Sequence, residues 1–185
     1  MNRIKRVSLF FRVVFQLLFV TWPIVLMMSW VNAPQPLILL HGIIQMNPIP
    51  ATYSKPQAIL HALSNSEKFF GFLASCMPML IELFILYSLI KLFRMYEKGE
   101  LFSIHHVRHI RNIGYALLIG QLIEPAYQLL MGFILTINNP PGHRFLAITM
   151  DQTNIGMLLT ALLVILISWI MAEGFKLSEE QQLTI

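Results

Sequence analysis

Of the 185 residues of the chain, 56% are hydrophobic and 12% are charged, whereas about 25% of residues are charged in an average soluble domain. This balance excludes an ordinary water-soluble domain and predicts an integral membrane protein. The formal charge of +4 reports topology first in a membrane chain, so we expect no direct nucleic-acid partner.

The first apolar run covers residues 13–31 and follows a basic head. At about 1.5 Å per residue, a helix of this length crosses a hydrocarbon layer of about 30 Å. The tripeptide Val31-Asn32-Ala33 leaves a cleaved signal peptide as the alternative, but the run is longer than the apolar region of a signal peptide.

Three further apolar runs follow, and the sequence therefore predicts an all-α polytopic protein, a four-helix bundle in one membrane domain, residues 1–185. These runs are residues 69–93, 113–137 and 155–171. The connections between the four spans are residues 32–68, 94–112 and 138–154. The first and last connections are expected to pack together, with a Ser or Asn of "SNSEKFF" capping the second helix.

The middle connection, residues 94–112, contains a turn followed by a new helix. Gly99 stands where a helix end needs a left-handed residue, and Ser103 is placed to cap a helix that begins at Ile104. The apolar stripe of this helix is Ile104, Val107, Ile110 and Ile113. The pattern predicts an amphipathic interfacial helix between the second and third spans.

Lys and Arg are concentrated in the N-terminal head and the middle connection. Because cytoplasmic loops are enriched in these residues, both termini and the middle connection are predicted to lie in the cytoplasm, with the protein in the inner membrane. The basic residues expected to contact anionic lipid headgroups or a cytoplasmic partner are Arg94, Lys98, Arg108 and Arg111.

Two histidines of the middle connection, His105 and His109, are one helical turn apart and could together bridge a zinc ion. Two ligands do not make a site, and interfacial side chains are the favoured interpretation. The sequence also shows no nucleophile with a base and no phosphate-binding glycine loop. We therefore predict no metal site, no cofactor and no catalytic residue.

Carboxylates inside the apolar runs are more informative, because a carboxylate at mid-bilayer usually faces other helices. Glu82 and Glu124 are each near the middle of a span and are expected at similar depth. Gln121 and Gln128 lie one turn from Glu124 on either side. These four residues are predicted to form an intramembrane polar cluster that either binds a proton or cation or fixes helix packing.

The middle connection also carries a motif in the form of Gly99, Phe102-Ser103, Val107, Ile110-Arg111 and Ile113-Gly114, and the chain ends in "KLSEEQQLTI". In these features it resembles the bacterial four-span membrane proteins of the domain of unknown function 2975 family, also called YoaS-like. The resemblance implies no activity and no cofactor. It implies, as a partner, a small helix-turn-helix regulator or another cytoplasmic protein.

Two functions remain open from the sequence. The first is a noncatalytic regulatory or partner-binding membrane component that acts through the middle connection and the tail. The alternative is a small transporter or a proton- or cation-coupled carrier that uses Glu82 and Glu124. Since four helices leave little room for a pathway, transport would require a homo-oligomer.

Overall fold

The computed structural model describes residues 2–39, 44–54, 58–99 and 103–183. Within these ranges the chain forms four long helices and two short strands. In chain order they are α1 (Asn2–Asn32), β1 (Leu37–Leu39), β2 (Ile44–Met46), α2 (Asn65–Lys98), α3 (Ile104–Thr136) and α4 (Gln152–Leu183). Each of the four helices is long and apolar enough to cross a membrane, which confirms the predicted all-α, four-span class.

The two predicted signals of the middle connection end α2 and begin α3 as expected. Gly99 has a φ of 84°, and its amide donates to the Tyr96 carbonyl at 3.1 Å. Ser103 directly precedes α3, and its carbonyl accepts the His106 amide at 3.0 Å, while its hydroxyl contacts the His106 ring and, within the described residues, no backbone amide. Phe102, part of the family-like motif, lies outside the described residues.

The amphipathic segment is not a separate helix in this structure. Residues 104–112 form the first turns of α3, which continues without interruption to Thr136. Of the predicted stripe, Val107 is buried and Ile104 is exposed. The location of this segment at a membrane interface stays a prediction.

The two strands were not predicted. β1 pairs antiparallel with β2, with Leu37 opposite Met46 and Leu39 opposite Ile44. Alternation along β1 buries Leu37 and exposes Ile38. The apolar run that contains them is too short for its period to distinguish a strand from another packed segment.

The described chain divides into two compact units. Unit 1 comprises Met1–Val20, Ile81–Gln121 and Gln152–Ile185, and unit 2 comprises Thr21–Leu80 and Leu122–Asp151. α1, α2 and α3 each contain one proline, at Pro23, Pro78 and Pro125. A proline removes a helical hydrogen bond, so these are positions where a helix can bend.

Unit 2 contains a buried hydrophobic cluster in which Trp30 is central. The Trp30 indole packs so closely on Gly71 that a Cβ there would overlap the ring. The indole Nε1 donates to Ser75 Oγ at 3.1 Å, and Ser75 Oγ lies 3.3 Å from the Tyr127 hydroxyl. Close packing and a satisfied polar chain together fix α1, α2 and α3 within this unit.

Unit 1 has its own close approach between α3 and α4. A Cβ at Gly114 would lie 2.7 Å from Ile165 Cγ1 and 3.1 Å from the Ile165 backbone nitrogen. Ile165 is buried there, and Ala161 is fully buried one turn before it. Small residues at such crossings let helices approach closely, the usual basis of helix packing in lipid.

Candidate functional site

The Glu124 end of the predicted polar cluster is a set of hydrogen bonds within unit 2. Gln128 Nε2 donates to Glu124 Oε1 at 3.0 Å and to the Thr149 carbonyl at 3.2 Å. Gln128 Oε1 accepts the Thr149 amide at 2.7 Å. The buried amide of Gln128 therefore joins α3 to the loop before α4, and Glu124 is tied to it.

Tyr53, which lies in the connection between α1 and α2, fixes the loop before α4 at a second point. The Tyr53 hydroxyl donates to the Ala147 carbonyl at 3.0 Å and accepts the Ala147 amide at 2.9 Å. Thr52 and Thr149 hydroxyls lie 2.6 Å apart. The first and last connections therefore contact each other within unit 2, as expected from the sequence.

The other two members of the predicted cluster belong to unit 1. Glu82 is exposed on α2, and Gln121 is half-buried on α3. The predicted pairing of Glu82 with Glu124 therefore stays a prediction. What the structure brings together is Glu124 and Gln128, through one hydrogen bond.

A second polar network, which the sequence interpretation missed, surrounds His61 in unit 2. His61 Nδ1 lies 3.0 Å from Asn139 Oδ1, and His61 Nε2 lies 2.7 Å from Glu67 Oε1. Asn138 Nδ2 donates to the same Glu67 oxygen at 2.8 Å. These bonds connect the residues before α2 to the residues after α3.

Glu67 also completes the predicted cap of α2. Glu67 Oε2 accepts the Ser64 amide at 2.7 Å, and the Glu67 amide donates to Ser64 Oγ at 3.3 Å. This reciprocal pair is a capping box, for which the spacing Ser64-x-x-Glu67 is the signature. That spacing was a signal for Glu67 in the sequence, whereas nothing local indicated that His61 would join it.

The surroundings of the His61 ring favour its charged form. Its two nitrogens face the Asn139 amide oxygen and the Glu67 carboxylate, both acceptors, so both bonds can form when both nitrogens carry a proton. The hydrogen bond to Glu67 raises the pKa of His61 above its usual value, against a smaller lowering by burial. A histidine that donates from both nitrogens has no lone pair for a metal or for general-base chemistry, so the network is suited to holding two loops together.

The four predicted contact residues of the middle connection lie on either side of Gly99 in unit 1, and we call them the basic joint. Arg94, Lys98 and Arg108 are exposed, and Arg111 is half-buried. In the part of the chain that the structure describes, the ion pairs are Arg12 with Glu97, His61 with Glu67 and Lys176 with Glu173. The basic joint takes part in none of these pairs.

An ion pair and a group of aromatic rings support the basic joint. Arg12 Nη1 lies 3.0 Å from Glu97 Oε2. The Phe93 ring packs against Phe11 of α1, with ring centroids 5.4 Å apart. It also packs against Tyr96 of α2, with centroids 5.8 Å apart. These contacts fasten α1 to the end of α2, so the basic side chains project from a firmly packed base.

His106, not the pair proposed for zinc, is the buried histidine of this region. Its ring packs on Tyr96 with centroids 4.8 Å apart, and its Nδ1 lies 2.8 Å from Ser103 Oγ. His105 is exposed and His109 half-buried. Across the described ranges, no group of three His, Cys, Asp or Glu side chains is arranged to hold a metal ion.

A family model described as "Protein of unknown function (DUF2975)" matches residues 45–185 of the chain. The match covers well over half of the chain and includes α2, α3, α4 and the basic joint. The matched region begins after α1 and contains the central and C-terminal residues that carry the resemblance. Comparisons with curated proteins and with solved structures give no match.

Proposed function

Because the chain belongs to the DUF2975 family of proteins of unknown function, we propose its role from its own residues. The protein is a noncatalytic, multi-pass membrane component that holds an acidic cytoplasmic protein at the basic joint. One observation carries this proposal: Arg94, Lys98 and Arg108 are exposed and form no ion pair with any described residue.

Uncompensated basic side chains attract acidic surfaces, and arginine in particular forms paired hydrogen bonds with carboxylates. The supporting contacts of Arg12 with Glu97 and of Phe93 with Tyr96 reduce the ordering cost of binding, because the backbone that carries the basic residues is already packed. A small helix-turn-helix regulator is the partner that the family resemblance suggests. The inner membrane and cytoplasmic termini are part of the same proposal.

The hydrogen bonding of Glu124 supports this proposal over transport. Glu124 is bonded to Gln128, whose amide is also bonded to the Thr149 backbone. An ion that bound Glu124 Oε1 would compete with Gln128 for the same oxygen. A packing role accounts for this contact directly.

The test is copurification of the full chain from its native membrane in mild detergent, with bound proteins quantified by mass spectrometry. The joint variant carries Arg94→Gln, Lys98→Gln and Arg108→Gln. Its control carries Arg3→Gln, Lys5→Gln and Arg6→Gln, three exposed basic residues of α1 that change the net charge equally. We expect the joint variant to lose about 90% or more of a specific partner, since each lost charged contact contributes about 1 kcal/mol or more, and the control to retain it.

Equal loss in both variants would mean general charge attraction and would overturn the proposal. A direct test of the alternative uses protein reconstituted in vesicles with a proton gradient. Proton movement that disappears in Glu82→Gln and Glu124→Gln, with folded protein unchanged, would establish transport instead.

A further inference from the structure

A groove in unit 2 has one charged end and an apolar wall. It has a volume of about 500 Å³, within the range of small-ligand sites, and Arg144 is its basic residue. The remaining lining residues are Phe133, Thr136, Ile137, Phe145 and Leu146. The groove lies where α3 ends and the next loop begins.

Arg144 is anchored while its outer nitrogens remain available. Its Nε donates to the Asn139 carbonyl at 3.1 Å, and Asn139 is itself buried and donates to the Ala58 carbonyl at 2.9 Å. Within the described ranges the terminal NH2 groups of Arg144 make no hydrogen bond or ion pair. The guanidinium therefore has a fixed position and two free donor groups, the arrangement that binds a phosphate with two parallel hydrogen bonds.

The apolar wall suits a hydrocarbon chain. Phe133 and Leu146 leave more than half of their surface exposed, at 56% and 57%. The Thr136 hydroxyl donates to the Gly132 carbonyl at 2.8 Å and also lies 3.2 Å from the Phe145 carbonyl, so it brings the end of α3 close to the loop backbone beside the groove. Phe133 lies in the last turn of α3 and Ile137 directly follows its end at Thr136. The end of a membrane-spanning helix is near the boundary between hydrocarbon and headgroups, where the phosphate and upper acyl chain of a phospholipid meet.

A neighbouring groove of about 420 Å³ shares Phe133 and Ile137 but has the opposite charge at its end. Its charged residue is Glu67, which already accepts bonds from His61, Asn138 and Ser64. Because Glu67 is already paired with His61, this end offers no free cationic donor to a phosphate, whereas Arg144 does. Of the two grooves, the one at Arg144 is therefore better suited to an anionic headgroup.

We propose that the groove ending at Arg144 binds one anionic phospholipid, with its phosphate on the Arg144 guanidinium and an acyl chain along Phe133, Ile137 and Leu146. This site is separate from the basic joint, which belongs to unit 1, and does not depend on the partner proposed above. It would place a specific lipid against the loop that Tyr53 and Gln128 hold.

The test is native mass spectrometry of the full chain in mixed micelles with phosphatidylglycerol or phosphatidylcholine of identical acyl chains. Arg144→Gln removes the charge and Leu146→Trp fills the groove. Leu130→Trp is the matched control, because Leu130 lines the neighbouring groove and does not line the groove at Arg144. Lys5→Gln removes one exposed charge from α1.

We expect the wild type to retain one phosphatidylglycerol in preference to phosphatidylcholine. Its affinity should fall about tenfold in Arg144→Gln, as expected for loss of a charge-assisted hydrogen bond. It should fall similarly in Leu146→Trp and remain unchanged in both controls. Leu146→Trp keeps Arg144 and its bond to Asn139, so it also tests the groove if Arg144→Gln does not fold.

Four results would overturn the proposal. They are equal retention of the two lipids, unchanged binding in a folded Arg144→Gln or Leu146→Trp, equal loss in Leu146→Trp and Leu130→Trp, and displacement of the lipid by inorganic phosphate. The last result would indicate a site for free phosphate. A dimer that Leu146→Trp disrupts without changing lipid retention would assign the groove to a second copy of the chain.

Discussion

The side chain of Gln128 pairs with the backbone of Thr149 as one strand pairs with another, accepting its amide at 2.7 Å and donating to its carbonyl at 3.2 Å. The same Gln128 nitrogen donates to Glu124 at 3.0 Å. A glutamine predicted to belong to an intramembrane polar cluster is thus a connection between a helix and a loop. Its loss would leave the amide and carbonyl of Thr149 without these part-buried bonds, which costs free energy.

Gln128→Leu should lower the free energy of unfolding by about 1–3 kcal/mol, because Thr149 loses both backbone partners. Thermal unfolding in detergent measures the change. Gln121→Leu is the control, since Gln121 lies on the same helix and makes no side-chain hydrogen bond within the described residues. Equal destabilisation by the two substitutions would contradict the role assigned to Gln128.

Gly132→Ala should destabilise the protein by about 1–3 kcal/mol through overpacking. A Cβ at Gly132 would overlap the Tyr53 hydroxyl, which cannot move without losing its bonds to Ala147. Gly156→Ala is the matched control, because a Cβ there meets no atom within 4 Å and alanine favours a helix by about 0.5–1 kcal/mol. Denaturation in detergent should therefore show a lower free energy of unfolding for Gly132→Ala and a higher one for Gly156→Ala. A change of the same sign in both variants would refute the packing argument.

Gly99→Ala should cost about 1–2 kcal/mol from the backbone alone. Gly99 has a φ of 84°, and a Cβ added there would meet no atom within 4 Å, so crowding adds nothing. Gly99→Asn should cost less, since asparagine tolerates this conformation better. Gly174→Ala is the control, because Gly174 is an uncrowded position within α4. Equal unfolding temperatures for Gly99→Ala and Gly99→Asn would argue against backbone strain.

The contribution of His61 to stability should decrease as pH rises. Its pKa is raised in the folded protein by the hydrogen bond to Glu67, so protonated His61 favours folding. This contribution is complete below the ordinary histidine pKa of about 6.5 and is lost as pH rises through the raised value.

The measurement is the unfolding temperature of wild type and His61→Gln across that range. The difference between the two should be largest in mildly acidic solution and should shrink at alkaline pH. The ring faces Glu67 and Asn139, and of these only Glu67 is charged, so Glu67→Gln should also reduce the pH dependence. A difference that stays constant with pH would show that His61 acts only by packing.

Local signals predicted the helix ends well. Ser64 and Glu67 form the capping box that the sequence "SNSE" indicates, and Gly99 ends α2 in the left-handed conformation expected of it. Such signals can be interpreted from sequence because the groups that interact are within a few residues of each other. The short pairing of β1 with β2 escaped prediction because each strand has only three residues.

Hydrophobic length predicted the four apolar helices and the class of membrane protein, and the residue pattern around Gly99 indicated the family. Only the tertiary structure decided which polar groups meet. His61 reaches Asn139 across 78 positions and Tyr53 reaches Ala147 across 94, and no periodic pattern records such pairs. The physical reason is that apolar burial depends on the composition of a segment, whereas a hydrogen bond requires one donor and one acceptor to be within about 3 Å, which the packing of distant segments alone arranges.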